Sequence, residues 1–381
     1  MKPKFKEIMK PIVSVDESIR IGFEGEIFDI DNPDNFTLHM LEQFDGTKNI
    51  EELAGILEVS VEEVLEAVEM FNEIGLLEDA DDDPTIVLTN EQKERYRANL
   101  TYFSNYADMT TKRESFQEKL KDATVAVLGL GGASLDAACL AGLGVGKIIG
   151  LDYDTVDISN LNRQFLYSEN NIGQLKANAA LQRIKELNSD IEMEVLNMKV
   201  MNAEGLMDVL KDVDLVINGI DSPGIIASRW VNSACTALNI PFLQGGISNT
   251  NIIWEKIIPN SSGCYDCFLI HFLRVDPYFQ HQLMALYNQT FERRNTAIAP
   301  HVALLSGFII SEAAKIISGH EASMPASTSH IFNTKTIEIT KEHKWDKLPE
   351  CPTCGNNGSH SVEPVDIEQL LSISKEKEMM V

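Results

Sequence analysis

The spacing of hydrophobic positions changes along the chain, and each change marks a different kind of element. Ile19, Ile21 and Phe23 alternate with Arg20 and Gly22, the two-residue period of a strand. Gly25 offers a turn, and Ile27, Phe28 and Ile30 predict a second strand. The spacing then lengthens to three residues at Leu38, Leu41 and Phe44, and Asp45-Gly46 closes that segment. Asn49 stands three residues before Glu52, and Ser60 three before Glu63, two capping patterns that each predict a helix start. The second helix carries Val61, Val64, Leu65, Val68 and Phe71 on one face and stops at Gly75. Two strands and three short helices make a small winged-helix-like domain within residues 1–83.

The acids from Asp79 to Asp83, followed by Pro84, read as a solvated exit from that domain. Residues 84–120 are a polar linker with a helix-favouring stretch. From Thr124 the pattern opens with a short, fully apolar strand (124–128), and apolar strands recur near 147–151, 191–195, 215–217 and 241–243, separated by helical segments. That alternation predicts an α/β domain over residues 121–358, a doubly wound, Rossmann-like sheet with helices on both faces. A helix-rich stretch follows from Cys264, with an apolar helix over 302–317 and a closing cysteine pair. Residues 359–381 read as a flexible tail.

Charge narrows the partners. Lys and Arg total 32 against 58 Asp and Glu, a formal net charge of −26. Nucleic acid needs a basic face, so this acidic balance argues against it as a main partner. No uninterrupted apolar run reaches the roughly 20 residues that span a bilayer, so no membrane association is expected. The basic start, Met1 to Lys6, is broken by Glu7 and Pro11 and does not read as a signal peptide. A cytoplasmic location with reduced thiols is the expectation, which makes the six cysteines metal ligands or core residues.

Strand 124–128 runs into Gly129-Leu130-Gly131-Gly132-Ala133-Ser134 and then a helix with small residues on one face. Such a turn lets backbone amides and a helix amino end meet phosphate. Asp152, about twenty residues on, stands where an acid accepts ribose hydroxyls. A dinucleotide site would fit equally well to this point. Arg163 and Lys176 add two cations suited to a triphosphate, for which hydride transfer has no use. Asp221 ends another strand on the same rim, where a carboxylate can hold Mg²⁺ against phosphate oxygens.

In order, Gly129-x-Gly131-Gly132, Leu151-Asp152-x-Asp154-x-Val156, Ser159-Asn160-Leu161-x-Arg163-Gln164 and Ile172-Gly173-x-x-Lys176 resemble the signature of the ThiF/MoeB/HesA adenylating family. That family is similar to the adenylation domain of ubiquitin-activating enzymes. The resemblance implies ATP use, with Asp152 on the ribose and Arg163, Gln164 and Lys176 on the phosphates. It implies Mg²⁺ at Asp221, support from Asp154 and Asn160, and a homodimer. Two positions depart from the family's pattern: Ser134 replaces a usual glycine, and Ala98 stands where an arginine usually reaches a dimer partner's phosphates.

Cys264-x-x-Cys267 and Cys351-x-x-Cys354 give four thiolates at metal-chelating spacing, a tetrahedral and structural Zn²⁺ site. Cys139 and Cys235 fall on apolar helix faces and read as core. Thioester-forming relatives use a cysteine in the loop after the first zinc pair, and residues 268–300 have none. An acyl-adenylate that forms no enzyme thioester is therefore expected. Asp45-Gly46-Thr47, Ile50-Glu51-Glu52-Leu53 and Ile74-Gly75-Leu76-Leu77 resemble the PqqD-type leader-peptide-binding domain. The combined layout resembles MccB-type and pantocin-maturing enzymes, which modify ribosomally made precursor peptides. The alternative is a non-catalytic scaffold that hands a leader peptide to a partner enzyme.

Overall fold

The computed structural model describes residues 1–376 apart from 24, 277, 289–293 and 357–360. Contacts divide the chain into two compact units, Met1–Lys119 and Leu120–Val381.

The first unit begins with β1 (Pro3–Phe5) and then forms an antiparallel sheet of β2 (Ile12–Val15), β3 (Ser18–Ile21) and β4 (Phe28–Asp31). Both strands expected from the alternating pattern are present as β3 and β4. Helices α1 (Phe36–Gln43), α2 (Ile50–Leu57) and α3 (Val61–Glu73) follow, and β5 (Leu77–Asp79) returns to pair with β1. Asn49 and Ser60 form complete capping boxes with Glu52 and Glu63, so the orphan amides of both helix starts are satisfied. Ile19, Ile21, Leu41, Phe44, Leu53, Val64, Phe71 and Leu77 close around one another as this unit's core. Ser60→Ala removes one cap and is expected to cost about 1 kcal/mol of the unit's stability, read as a lower urea midpoint with unchanged slope. Short helices α4 (Asn90–Arg95) and α5 (Arg97–Phe103) and then α6 (Arg113–Asp122) carry the chain onward.

The second unit is built on an eight-stranded sheet. Its strands are β6 (Thr124–Leu128), β7 (Lys147–Leu151), β8 (Glu192–Leu196), β9 (Leu215–Asn218), β10 (Phe242–Ser248), β11 (Asn251–Ile257), β12 (Thr328–Asn333) and β13 (Glu338–Lys344). They lie in the order β13-β12-β11-β10-β9-β6-β7-β8. The pairs from β10 to β8 are parallel, while β11, β12 and β13 add an antiparallel wing. The expected parallel core is present. The wing was not foreseen, because β11 is buried at most positions without clean alternation and β13 is largely exposed.

Helices α7 (Ser134–Leu143), α8 (Lys176–Leu187), α9 (Glu204–Met207) and α10 (Gly224–Leu238) link the parallel strands. After them come α11 (Tyr265–Val275), α12 (Phe279–Tyr287), α13 (Ala299–Ser318) and α14 (Ile367–Glu376). Helix α13, which takes in the apolar helix expected over 302–317, has the length and apolar composition of a membrane span, but it packs on α7, β10 and β11 and buries Val302, Ile309 and Ala313. One expectation is corrected here. The stretch read as a flexible tail contains α14, which packs on α11 and buries Ile367 and Leu370. The charged residues around Lys375 masked an amphipathic helix just before them.

The strand order reverses at β6. The chain moves outward through β7 and β8, then crosses back to place β9 on the other side. In open parallel sheets the crevice above such a reversal, at the carboxyl ends of the strands, is where ligands bind.

Candidate active site

A cavity of about 640 Å³ opens at that reversal. Its lining brings together all ten residues expected to contact a nucleotide: Gly129, Gly131, Gly132, Asp152, Asp154, Asn160, Arg163, Gln164, Lys176 and Asp221. They come from loops after β6, β7 and β9 and from the start of α8, separated in sequence but adjacent in the fold.

The glycine loop explains its own composition. Gly129 has φ +86°, and a Cβ there would lie 2.9 Å from the Gly219 carbonyl oxygen. Any other residue would be strained and would push the β6 loop off the β9 loop. A Cβ on Gly132 would meet nothing, so the loop offers bare backbone at that point. No side chain caps the amino end of α7, so the positive end of the helix dipole is left to an anion. Ser134 is fully buried and is not part of the cavity lining, so its hydroxyl leaves the loop's exposed face unchanged.

Asp152 fixes the next layer. It accepts from the Leu130 amide at 2.7 Å and the Asp154 amide at 2.8 Å, tying the glycine loop to the end of β7. Burial pushes its carboxyl above the ordinary range, while the Asp154 amide and the Lys176 charge pull it back. Tyr167 donates to the Leu130 carbonyl at 2.7 Å and braces the loop from the other side. Lys176 is almost fully buried and pairs with the half-exposed Asp154 at 3.1 Å. Arg163 is anchored by the Ser159 carbonyl and the Asn162 side chain, both at 2.9 Å. Asn160 accepts from the Asp157 amide at 3.0 Å and closes the short turn that presents Arg163. Gln164 is buried with its Oε1 lacking a partner among the described residues, and it lines the cavity.

Asp221 is exposed at the end of the β9 loop. Burial first, and then the charges of Asp154, Asp152 and Asp221, push the Tyr153 hydroxyl upward. Asp152, Asp154 and Asp221 thus line the same cavity, with Asp152 bonded to two backbone amides and Asp154 paired with Lys176.

Sequence reasoning missed several lining residues: Asp136, Lys199, Gln244, Glu255, Arg294 and Ser306. Gln244 donates to Glu255 at 2.7 Å and accepts from Asn218 at 3.1 Å, joining β9, β10 and β11 in one buried polar chain. Ala98 lies exposed on α5 in the first unit, and its neighbour Arg97 pairs with Glu94 at 3.0 Å.

The four expected metal ligands form a separate buried cluster. Cys264, Cys267, Cys351 and Cys354 have their sulfurs within 4.8 Å of one another. The separations of 3.9, 3.6 and 3.4 Å bracket the ~3.8 Å edge of a tetrahedron with Zn–S bonds of about 2.3 Å. The Leu348 amide points at the Cys267 sulfur at 3.4 Å, as it would toward a thiolate. Arg229 clasps Asp266, between the first two cysteines, with bonds of 2.7 and 3.1 Å, and Thr353 donates to the same carboxylate at 2.7 Å. Both cysteine pairs are thereby locked to α10. Cys139 is half-buried and Cys235 fully buried, and burial raises both thiols above their ordinary range, away from a reactive thiolate.

Residues 102–353 match the model of the ThiF family. The sulfur carrier protein ThiS adenylyltransferase of Escherichia coli K12 is 31% identical over 251 residues, 65% of this chain and 91% of that protein. The molybdopterin-synthase adenylyltransferase of the same organism is 29% identical over 244 residues, 63% of this chain and 90% of that protein. Among solved structures, E. coli MccB with AMPCPP and MccA superposes with a TM-score of 0.73 at 21% identity, covering 93% of this chain and all of that one.

Proposed function

The chain belongs to the ThiF family of ATP-dependent adenylating enzymes, and from that premise we propose that it adenylates a carboxylate on a ribosomally made precursor peptide. The product would be an intermediate in maturing a peptide natural product, formed without an enzyme thioester. The gathering of the glycine loop, Asp152, Arg163 and Lys176 on one cavity favours this reading over the non-catalytic scaffold. The observation that carries the peptide assignment is the reach of the structural likeness. The family match begins at residue 102, whereas the likeness to MccB takes in 93% of the chain and so extends into the first unit. MccB was solved with MccA bound, and a matching fold in both units supports a matching kind of substrate. The first unit would hold the leader segment by adding it as a strand to a sheet edge.

In this reading ATP lies over the glycine loop with its ribose on Asp152. A carboxylate oxygen of the peptide attacks the α-phosphorus, and the bond from that phosphorus to the bridging oxygen breaks, releasing pyrophosphate. No general base is required, because the nucleophile is already ionised at neutral pH. Arg163, Gln164 and Lys176 would hold the phosphates and spread the developing charge, the term that dominates phosphoryl transfer. Asp154 and Asn160 would keep Lys176 and Arg163 aimed. Asp221 would hold Mg²⁺, which supplies further positive charge to the phosphate oxygens. The buried cysteine cluster would hold Zn²⁺ as a structural ion. A homodimer in the cytoplasm belongs to the same proposal.

The test uses purified protein, ATP and the short peptides encoded beside its gene. One of them should stimulate pyrophosphate release at least about tenfold over ATP alone, with no thiol-labile adduct on denaturing gels. Stimulation by a small sulfur-carrier protein with none of the peptides active would transfer the assignment to that substrate.

A further inference from the structure

One end of the cavity is not used by the residues assigned to ATP. Asp152 stands at the end of β7, and the glycine loop follows β6. A nucleotide spanning these two leaves open the end beneath β10, β11 and α13. That end is walled by Val302 and Ile309 of α13, by Glu255 of β11, and by Asp136 of α7. Glu255 is already satisfied, since Gln244 and Ser329 both bond to it. Asp136 is not. It is 3% exposed, and Ser306 serves one side of its carboxyl. Its Oδ1 has no hydrogen-bond partner among the described residues, and no ion pair there includes it.

We infer that this end is the acyl subsite, and that Asp136 selects an acyl group bearing a positively charged amino or guanidino group near the carboxylate to be activated. The inference rests on the adenylation reading above and narrows its substrate to a basic acyl group. A buried acceptor left unmade costs free energy, and a charge-assisted bond to a cation recovers the most. An apolar acyl group would leave Oδ1 unpaired, and an acidic one would be repelled. Burial pushes the Asp136 carboxyl up to about 7 against the pull of the Ser306 hydroxyl, and a cation placed beside it would favour the ionised form. Asp136 also sits in the first turn of α7, where the helix end favours negative charge. The net charge of −26 attracts a basic substrate from solution.

The experiment is calorimetric titration of the full chain with three sulfamoyladenosines, stable mimics of an acyl-adenylate, carrying N-acetyl-lysyl, N-acetyl-leucyl or N-acetyl-glutamyl groups. Each shares the nucleoside, and only the acyl side chain differs. The lysyl compound should bind at least about tenfold more tightly than the leucyl one, with the glutamyl one weakest. Asp136→Asn should erase the lysyl preference and leave the affinity for ATP within about twofold. Ser306→Ala, which keeps the charge, should retain the preference; its loss there would overturn the assignment to Asp136, as would equal binding of all three compounds by the wild type. Loss of ATP affinity in Asp136→Asn with acyl preference intact would place Asp136 on the nucleotide instead and overturn the inference. If none of the compounds competes with ATP, the adenylation reading itself fails, an outcome distinct from competition without cation preference.

Discussion

Asp221→Ala is expected to lower substrate-dependent pyrophosphate release at least about a hundredfold while leaving the fold intact. The side chain is exposed, lies beyond the end of β9 and takes part in no ladder pairing, so its removal costs little stability. Its role would be to hold a divalent cation against the phosphates, and such charge is worth several kcal/mol at the transition state, with each 1.4 kcal/mol or so a factor of ten. A coupled pyrophosphate assay at saturating ATP and peptide reads the loss, and thermal melting checks the fold. A rate within about threefold of the wild type, in a variant that melts normally, would remove Asp221 from the metal site.

The second large effect concerns the cysteine cluster. The purified chain is expected to carry one zinc per molecule, and Cys354→Ser or a strong chelator should remove it. The four sulfurs, the Arg229–Asp266 clasp and the Thr353 bond together join α10, α11 and the 351–354 turn. Without the ion, four buried thiols are left to repack, and loss of a structural metal is among the few single changes costing more than about 4 kcal/mol. For a unit of this size the melting temperature should fall by about 10 °C or more. Metal analysis by mass spectrometry alongside calorimetry checks both parts. A chain that melts normally at zero zinc content would show that the cluster holds without an ion.

Much of this site was legible before any coordinates because its parts are local. Gly129 to Gly132, Asp152 and Asp154, and Asp221 each sit within a few residues of a strand's carboxyl end, so strand order alone delivers them to one rim. Asn160 to Gln164 and Lys176 lie farther along the connection from β7 to α8, and their ordered motif, rather than closeness to a strand end, is what marked them. Asp136 was passed over because a single acid in the first turn of a helix ordinarily reads as a cap-region charge. Its significance arises only when α13 closes over α7, and that contact spans more than 160 residues of sequence with no shared motif. The Gln244–Glu255 chain was hidden for a related reason: it depends on β11 folding back on β10, and the sequence of β11 lacks the alternation that announces an antiparallel strand. Helix α14 shows the converse error, in which a charged stretch drew attention away from Ile367 and Leu370 just ahead of it.

The pairing of β1 with β5 sets Pro3 opposite Asp79 in one hydrogen-bonded ladder. The chain therefore enters and leaves the first seventy or so residues at nearly the same point, with a core between them that only Met109 joins from outside. A segment with adjoining ends is a portable part. Under the leader-binding proposal, splicing it into another enzyme, or exchanging it for a counterpart of different selectivity, would redirect adenylation to a new peptide without stretching the host's backbone.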